Sequence, residues 1–174
     1  MSVILKELSF SDVKTINQWR NNPELIAKLG SNFRYINLET DEQWFRNYMS
    51  SRHNTIRCGI YAESDKLVGV IYLSNIDHLN QSADLSIMIG DVSQRGKGYG
   101  KCAMYQMMKH AFFNLNINRI SLKVLTDNIP ALRLYEKCGF QREGVLRQTL
   151  YKDGEWHDQI IMSILRSEFK EVEE

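Results

Sequence analysis

The chain has 174 residues, 43% of them hydrophobic, and carries 22 Lys and Arg against 21 Asp and Glu, a formal net charge of +1. That is enough apolar material for one packed domain and too little net charge for bulk attraction to nucleic acid or to an anionic membrane. Cys58, Cys102 and Cys138 are an odd set without C-x-x-C spacing, which argues for small core residues in a reduced cytoplasm rather than a disulfide framework.

The N-terminus lacks a cationic segment followed by an apolar signal core, and no apolar run approaches the roughly 18 residues of a membrane span, so a soluble cytoplasmic protein is expected. No repeat, low-complexity segment or Pro/Gly/Ser-rich linker divides the chain. Residues 1–174 therefore read as a single domain, with only the acidic tail from Glu168 expected to fray.

In chain order, Val3 to Leu8 predicts a first strand, and Ser11-Asp12 opens a helix whose apolar positions Val13, Ile16 and Trp19 share one face. That helix should stop near Asn22-Pro23. After an irregular segment from Gly30 to Asn37, Thr40-Asp41-Glu42-Gln43 has the form of a capping box and predicts a second helix toward Met49. Arg57 to Ala62, Leu67 to Ile76 and Ala83 to Ile89 are strand-like runs separated by turn residues at Glu63-Ser64-Asp65-Lys66 and at His78 to Ser82, which together predict an antiparallel meander.

A long helix from about Gly100 to Leu115 carries Ala103, Met104, Met107, Met108, Ala111 and Leu115 on one stripe. Arg119 to Leu125 resumes a strand, and Pro130 starts a further helix to Cys138, with Gly139 as its left-handed stop. Two last strands, Val145 to Tyr151 and Trp156 to Leu165, are joined across Lys152-Asp153-Gly154-Glu155, whose Asp-Gly pair signals a hairpin. The order is β-α-α-β-β-β-α-β-α-β-β, an α+β pattern best satisfied by a mixed sheet with helices on its faces.

Gln94-Arg95-Gly96-Lys97-Gly98-Tyr99-Gly100 lies between a strand and a helix start. There, unsatisfied amides and the helix dipole favour an anion, glycine lets backbone approach it, and Arg95, Lys97 and Lys101 can neutralise charge at the rim. By itself the cluster reads equally well as a glycine-softened loop with solvated cations. It has neither the P-loop nor the dinucleotide-binding spacing.

About thirty residues on comes Val124 to Phe140, VLTDNIPALRLYEKCGF. With the R-x-x-G-x-G of Arg95 to Gly100, this segment resembles the GNAT superfamily of acetyl-CoA-dependent N-acetyltransferases. The second motif is matched at Asn128, Ala131, Leu134, Tyr135, Gly139 and Phe140.

The resemblance spans essentially the whole chain. It implies a twisted, mostly antiparallel sheet of about seven strands with about four helices. It also implies that Arg95, Gly96, Lys97, Gly98, Tyr99, Gly100 and Lys101 hold the coenzyme diphosphate, that exposed backbone at Ile87 and Ile89 pairs with pantetheine, and that Asn128 contacts the coenzyme. Tyr135 becomes the acid that protonates the departing thiolate, its alternative being a half-buried packing residue. Asp84, where many relatives have Glu, becomes a base acting through water, its alternative being a solvent-facing strand carboxylate. Acetyl-CoA is the expected cosubstrate. No metal is expected, because His53, His78, His110 and His157 lack ligand spacing.

Arg142 to Leu165 looks like the closing hairpin of the RimJ/RimL-like branch, which includes ribosomal-protein N-terminal and polyamine acetyltransferases and in which homodimers are common. Gln18 to Leu25, QWRNNPEL, looks more like relatives acting on nucleotide-linked amino sugars. An alkyl ammonium near pKa 10.4 is about a thousandth neutral at pH 7, whereas an α-amine near 8 needs only about 1 kcal/mol to deprotonate. A shortened, water-separated carboxylate suits the weaker base. The expected acceptor is therefore an amino-sugar nucleotide or a peptide N-terminus. A polyamine is the alternative, with Glu39, Asp41 and Glu42 as its candidate carboxylates. A coenzyme-binding sensor without turnover is the rival of a different class.

Overall fold

In the computed structural model, which describes residues 2–62 and 65–170, period-two runs pair into one seven-stranded sheet in the order β1-β2-β3-β4-β5-β7-β6. The strands are β1 (Ile4–Glu7), β2 (Ile56–Tyr61), β3 (Leu67–Asp77), β4 (Ser82–Ile89), β5 (Arg119–Leu125), β6 (Gln141–Lys152) and β7 (Glu155–Leu165). Five helices join them: α1 (Val13–Arg20), α2 (Pro23–Ala27), α3 (Leu38–Ser50), α4 (Tyr99–Lys109) and α5 (Ile129–Lys137). Every pairing is antiparallel except β4 with β5, whose connection runs through α4, as a parallel pair requires.

The two faces of the sheet are covered differently. On one, α4 buries Ala103, Met104, Met107 and Met108 against Ile71, Leu73, Leu85, Ile120 and Leu122. A π-turn over His110–Asn114 extends α4 and brings Phe112 into the same core as Ala111. Phe112, Phe113 and Tyr105 all pack around Phe169, so the tail expected to fray from Glu168 is placed at least to that ring. Residues 171–174 lie outside the described residues. On the other face, Val13 and Ile16 of α1 and Phe45 and Tyr48 of α3 pack with Leu8 and Val70.

Local expectations are corrected at Pro23 and Thr40. Pro23 ends α1, as a residue without an amide must, but it also starts α2, because Asn22 accepts the Leu25 amide (3.1 Å) and the proline occupies a first-turn position whose N–H has no partner in any case. The flanking helices thus number five. Thr40 does not cap α3; Asn37 does, accepting the Thr40 amide at 3.0 Å, and the helix begins at Leu38. Trp156, at the start of β7, is 59% exposed and packs on Tyr151. The turn expected at Glu63 to Lys66 falls partly outside the described residues. The Asp153-Gly154 hairpin forms as expected, with both residues at positive φ (53° and 87°).

Gly90, at the end of β4, is demanded by packing: a Cβ there would sit 2.0 Å from Cδ2 of Trp19. Gly90→Val is expected to destabilise the protein by about 1–3 kcal/mol through overpacking, measured as a lower urea midpoint at unchanged slope.

Candidate active site

The parallel ladder between β4 and β5 holds for three residue pairs only, Ser82↔Arg119, Ala83↔Ile120 and Asp84↔Ser121. Beyond Asp84 the strands part. The Gln81 carbonyl accepts the Asn118 and Arg119 amides (2.6 and 3.1 Å), whereas the Gly90 amide turns to Val68 in β3 (3.0 Å). Backbone direction alternates along a strand, so odd-numbered groups of β4 point toward β5, and those of Ile87 and Ile89 face the gap where β5 has left. The side chains of Leu85, Ile87 and Ile89 pack toward α4, leaving Asp84, Ser86 and Met88 on the opposite face, as alternation predicts.

The gap opens into a cleft of about 1080 Å³ whose walls include Asp84, Ile87, Asn128 and Tyr135. Four residues singled out from sequence thus meet in one place. Tyr135 sits on the buried side of α5, its ring 6.0 Å from that of Phe140. Burial, with the Cys138 thiol adding to it, pushes the phenol up to about 12, so it keeps its proton at any neutral pH. The Asp84 carboxylate marks the end of the ladder, accepting from Ser121 Oγ (2.7 Å) and Asn75 Nδ2 (2.9 Å), with its exposed edge in the cleft.

Asn128 plays two structural parts at the cleft wall. Its carbonyl caps α5 by accepting the Ala131 amide (3.3 Å), and its Nδ2 donates to the Lys28 carbonyl (2.7 Å).

The glycine turn is placed outside the cleft wall, at the far end of β4. Gly96 and Gly98 adopt positive φ (75° and 81°), and a Cβ on either would meet nothing within 4 Å. Gly98 is the N-cap of α4, and its carbonyl accepts the Cys102 amide (3.1 Å). The amides of Gly98 to Lys101 therefore precede the helix's own ladder and are available to an anion. Arg95 folds back to donate to the Ile89 carbonyl (3.2 Å), Lys97 donates to Gln94 Oε1 (3.0 Å), and Lys101 is exposed. Gly100 connects the turn to the gap, its β position lying 3.3 Å from Leu134 Cδ2 and 4.0 Å from Ile87 Cδ1. The arrangement fits a ligand with a phosphate end at α4 and an amide-bearing arm along the open edge of β4.

The opposite wall was not legible in the sequence. The Lys152 ammonium is buried and donates to three carbonyls, that of Ile26 in α2 (2.6 Å) and those of Leu29 (2.7 Å) and Ser31 (2.9 Å) in the segment after it. Burial lowers its pKa. On α1, Arg20 pairs with the fully buried Asp41, which also accepts from Asn17 (2.8 Å). The charged residues of the cleft wall are Arg20, Lys28, Arg34 and Lys123 against Asp84 alone. Lys123 could have been found from strand parity, since it lies between the buried Leu122 and Val124. A lysine next to an Asp-Gly turn carries no sign that it is buried.

Among the described residues no cluster of three or more His, Cys, Asp and Glu side chains could hold a metal ion, and no helix is long and apolar enough to cross a membrane.

Comparison with known proteins places this geometry. The spermidine N(1)-acetyltransferase of Vibrio cholerae is 28% identical over 166 residues, covering 95% of this chain and 94% of that protein. A putative ribosomal N-acetyltransferase, YdaF of Bacillus subtilis, is 31% identical over 127 residues, 73% of this chain and 67% of its own length. The crystal structure of spermidine N-acetyltransferase from Vibrio cholerae in complex with CoA and spermine superposes with a TM-score of 0.90 at 26% identity, covering 96% of this chain and 97% of that one. The family described as acetyltransferase (GNAT) domain matches residues 2–141. The chain belongs to the GNAT acetyltransferase family.

Proposed function

We propose that this protein transfers acetyl from acetyl-CoA to a primary amine by direct attack on the thioester. The observation that carries the proposal is the open backbone edge at Ile87 and Ile89, set between the glycine turn and Tyr135. The bound coenzyme supplies an activated acetyl thioester. The chain supplies the rest: the amides of Gly98 to Lys101 and the dipole of α4 take the phosphates, and the backbone groups of Ile87 with the Ile89 amide orient the arm, the Ile89 carbonyl being held by Arg95. As the amine nitrogen bonds to the carbonyl carbon and the C–S bond breaks, the Tyr135 phenol gives its proton to sulfur. The proton shed by nitrogen leaves through water to Asp84 and on to solvent, and the phenolate regains a proton from solvent, so amine and thioester become acetamide and thiol.

The Vibrio cholerae relative is a spermidine N-acetyltransferase, solved with CoA and spermine, which favours the polyamine alternative over the amino-sugar nucleotide or peptide N-terminus expected from sequence. The charges of the cleft wall favour the opposite order.

The transferase reading is tested by release of thiol from acetyl-CoA against a panel of amines. Amine-dependent release is expected. Tight CoA binding with no release for any amine would leave a sensor instead.

A further inference from the structure

We propose that the acceptor amine carries a phosphate-type anionic group, that Lys28, Arg34 and Lys123 form its subsite, and that Lys152 is a positioning residue for the loop presenting the first two. This rests on the acetyltransferase reading and names the substrate class of that site. The cleft wall holds four basic residues and one carboxylate. Arg20 is already neutralised by the buried Asp41. Lys28, Arg34 and Lys123 are exposed and have no ion-pair partner among the described residues.

The carboxylates a polycation would need are elsewhere. Asp41 is sealed beneath Arg20, Glu42 pairs with Arg46, and Glu39 accepts from Asn37 beside a separate groove along α3. The one acid in the cleft, Asp84, is already held by Ser121 and Asn75. The coenzyme's phosphates do not explain the unpaired cations, because Arg95, Lys97 and Lys101 stand at the start of α4, where none of them lines the cleft.

The loop geometry shows how two of these charges are presented. All three N–H groups of Lys152 are matched to carbonyls of Ile26, Leu29 and Ser31, leaving none for a ligand. Asn128 clasps the Lys28 carbonyl between them, and Gln159 Nε2 lies 3.2 Å from the β position of Gly30. The loop from Lys28 to Arg34 is thereby fastened to α5 and to the β6–β7 hairpin, so its two cations have a fixed base. An anion gains charge-assisted bonds there, whereas an ammonium chain meets like charge.

The test uses amines that differ in phosphate: UDP-glucosamine, glucosamine 6-phosphate and glucosamine, with spermidine as the cation. Each is titrated calorimetrically onto the protein with and without CoA, and each is assayed for thiol release. The phosphate-bearing amines are expected to exceed glucosamine by about 10-fold or more in affinity and kcat/KM, the effect of one or two charge-assisted contacts. UDP-glucosamine ahead of glucosamine 6-phosphate would identify a diphosphate-linked acceptor and the reverse a monophosphate, either supporting the proposal.

Arg34→Glu and Lys123→Glu should each abolish the preference with CoA affinity unchanged. Lys152→Met should raise the acceptor KM while kcat and CoA affinity hold, with Lys152→Arg restoring part of it. Spermidine binding or reacting best, no gain from phosphate, or a preference that survives both charge reversals would overturn the proposal. Failure to bind CoA would sink the transferase reading instead, and the amine titrations on coenzyme-free protein would still decide the phosphate preference.

Discussion

Tyr135→Phe is expected to lower kcat by about 10²–10⁴-fold, the usual worth of one positioned acid, with CoA affinity within about twofold of wild type. The substitution keeps the ring that packs near Phe140 and removes only the hydroxyl at the cleft wall. Steady-state kinetics alongside calorimetry would decide it, since a packing role predicts parallel losses in turnover, coenzyme binding and stability.

The pH profile adds a second readout. Burial raises the phenol from 10.0 to about 12, so the acid is fully protonated through the neutral range, and the acidic limb of the rate is expected to come from protonation of the amine. The same shift has a sign for stability. A folded-state value above the unfolded one means that the native state holds the proton more tightly, so this contribution is complete below about pH 10 and is lost as pH rises toward 12. The phenylalanine variant should lack that alkaline loss.

Gly98→Val should weaken CoA binding by more than about 10-fold. Its φ of 81° puts an L side chain in the left-handed region at a cost of about 1–2 kcal/mol. Nothing of the protein lies within 4 Å of the new Cβ, so the added bulk projects into the space the phosphates would enter and displaces amides each worth about 1.5–3 kcal/mol toward a charged partner. Gly154→Val is the control, because Gly154 has a similar φ of 87° and equally open surroundings but lies in the β6–β7 turn. Equal CoA affinity in both variants would contradict the assignment of the turn. Gly100→Val is less clean, since its Cβ would press on Leu134 at 3.3 Å and disturb α5 as well.

The elements legible in sequence were those with a local cause. The α4 stripe, the Asp-Gly hairpin and the left-handed stop at Gly139 each depend on residues within a turn or two of one another. Errors arose where two local signals competed. Asn37 outranked Thr40 as a cap, and Pro23 served as both stop and start. The proposed coenzyme side was readable because the glycine turn and the α5 segment carry short motifs that resemble the family's. The acceptor side was not, because its walls come from α1, the loop after α2, β5 and the last hairpin.

The order of elements, the glycine turn before α4 and the tyrosine on α5 were determined by the sequence alone, through period, glycine placement and helix-end chemistry that act over a few residues. Only the tertiary structure decided that β4 and β5 part after Asp84, that Lys152 is buried against carbonyls more than a hundred positions away, and that the acceptor wall is cationic in a chain of nearly balanced charge. The physical reason is that a local field depends on which side chains share a cavity, and burial of one carboxylate, Asp41, removes it from that field without changing the composition.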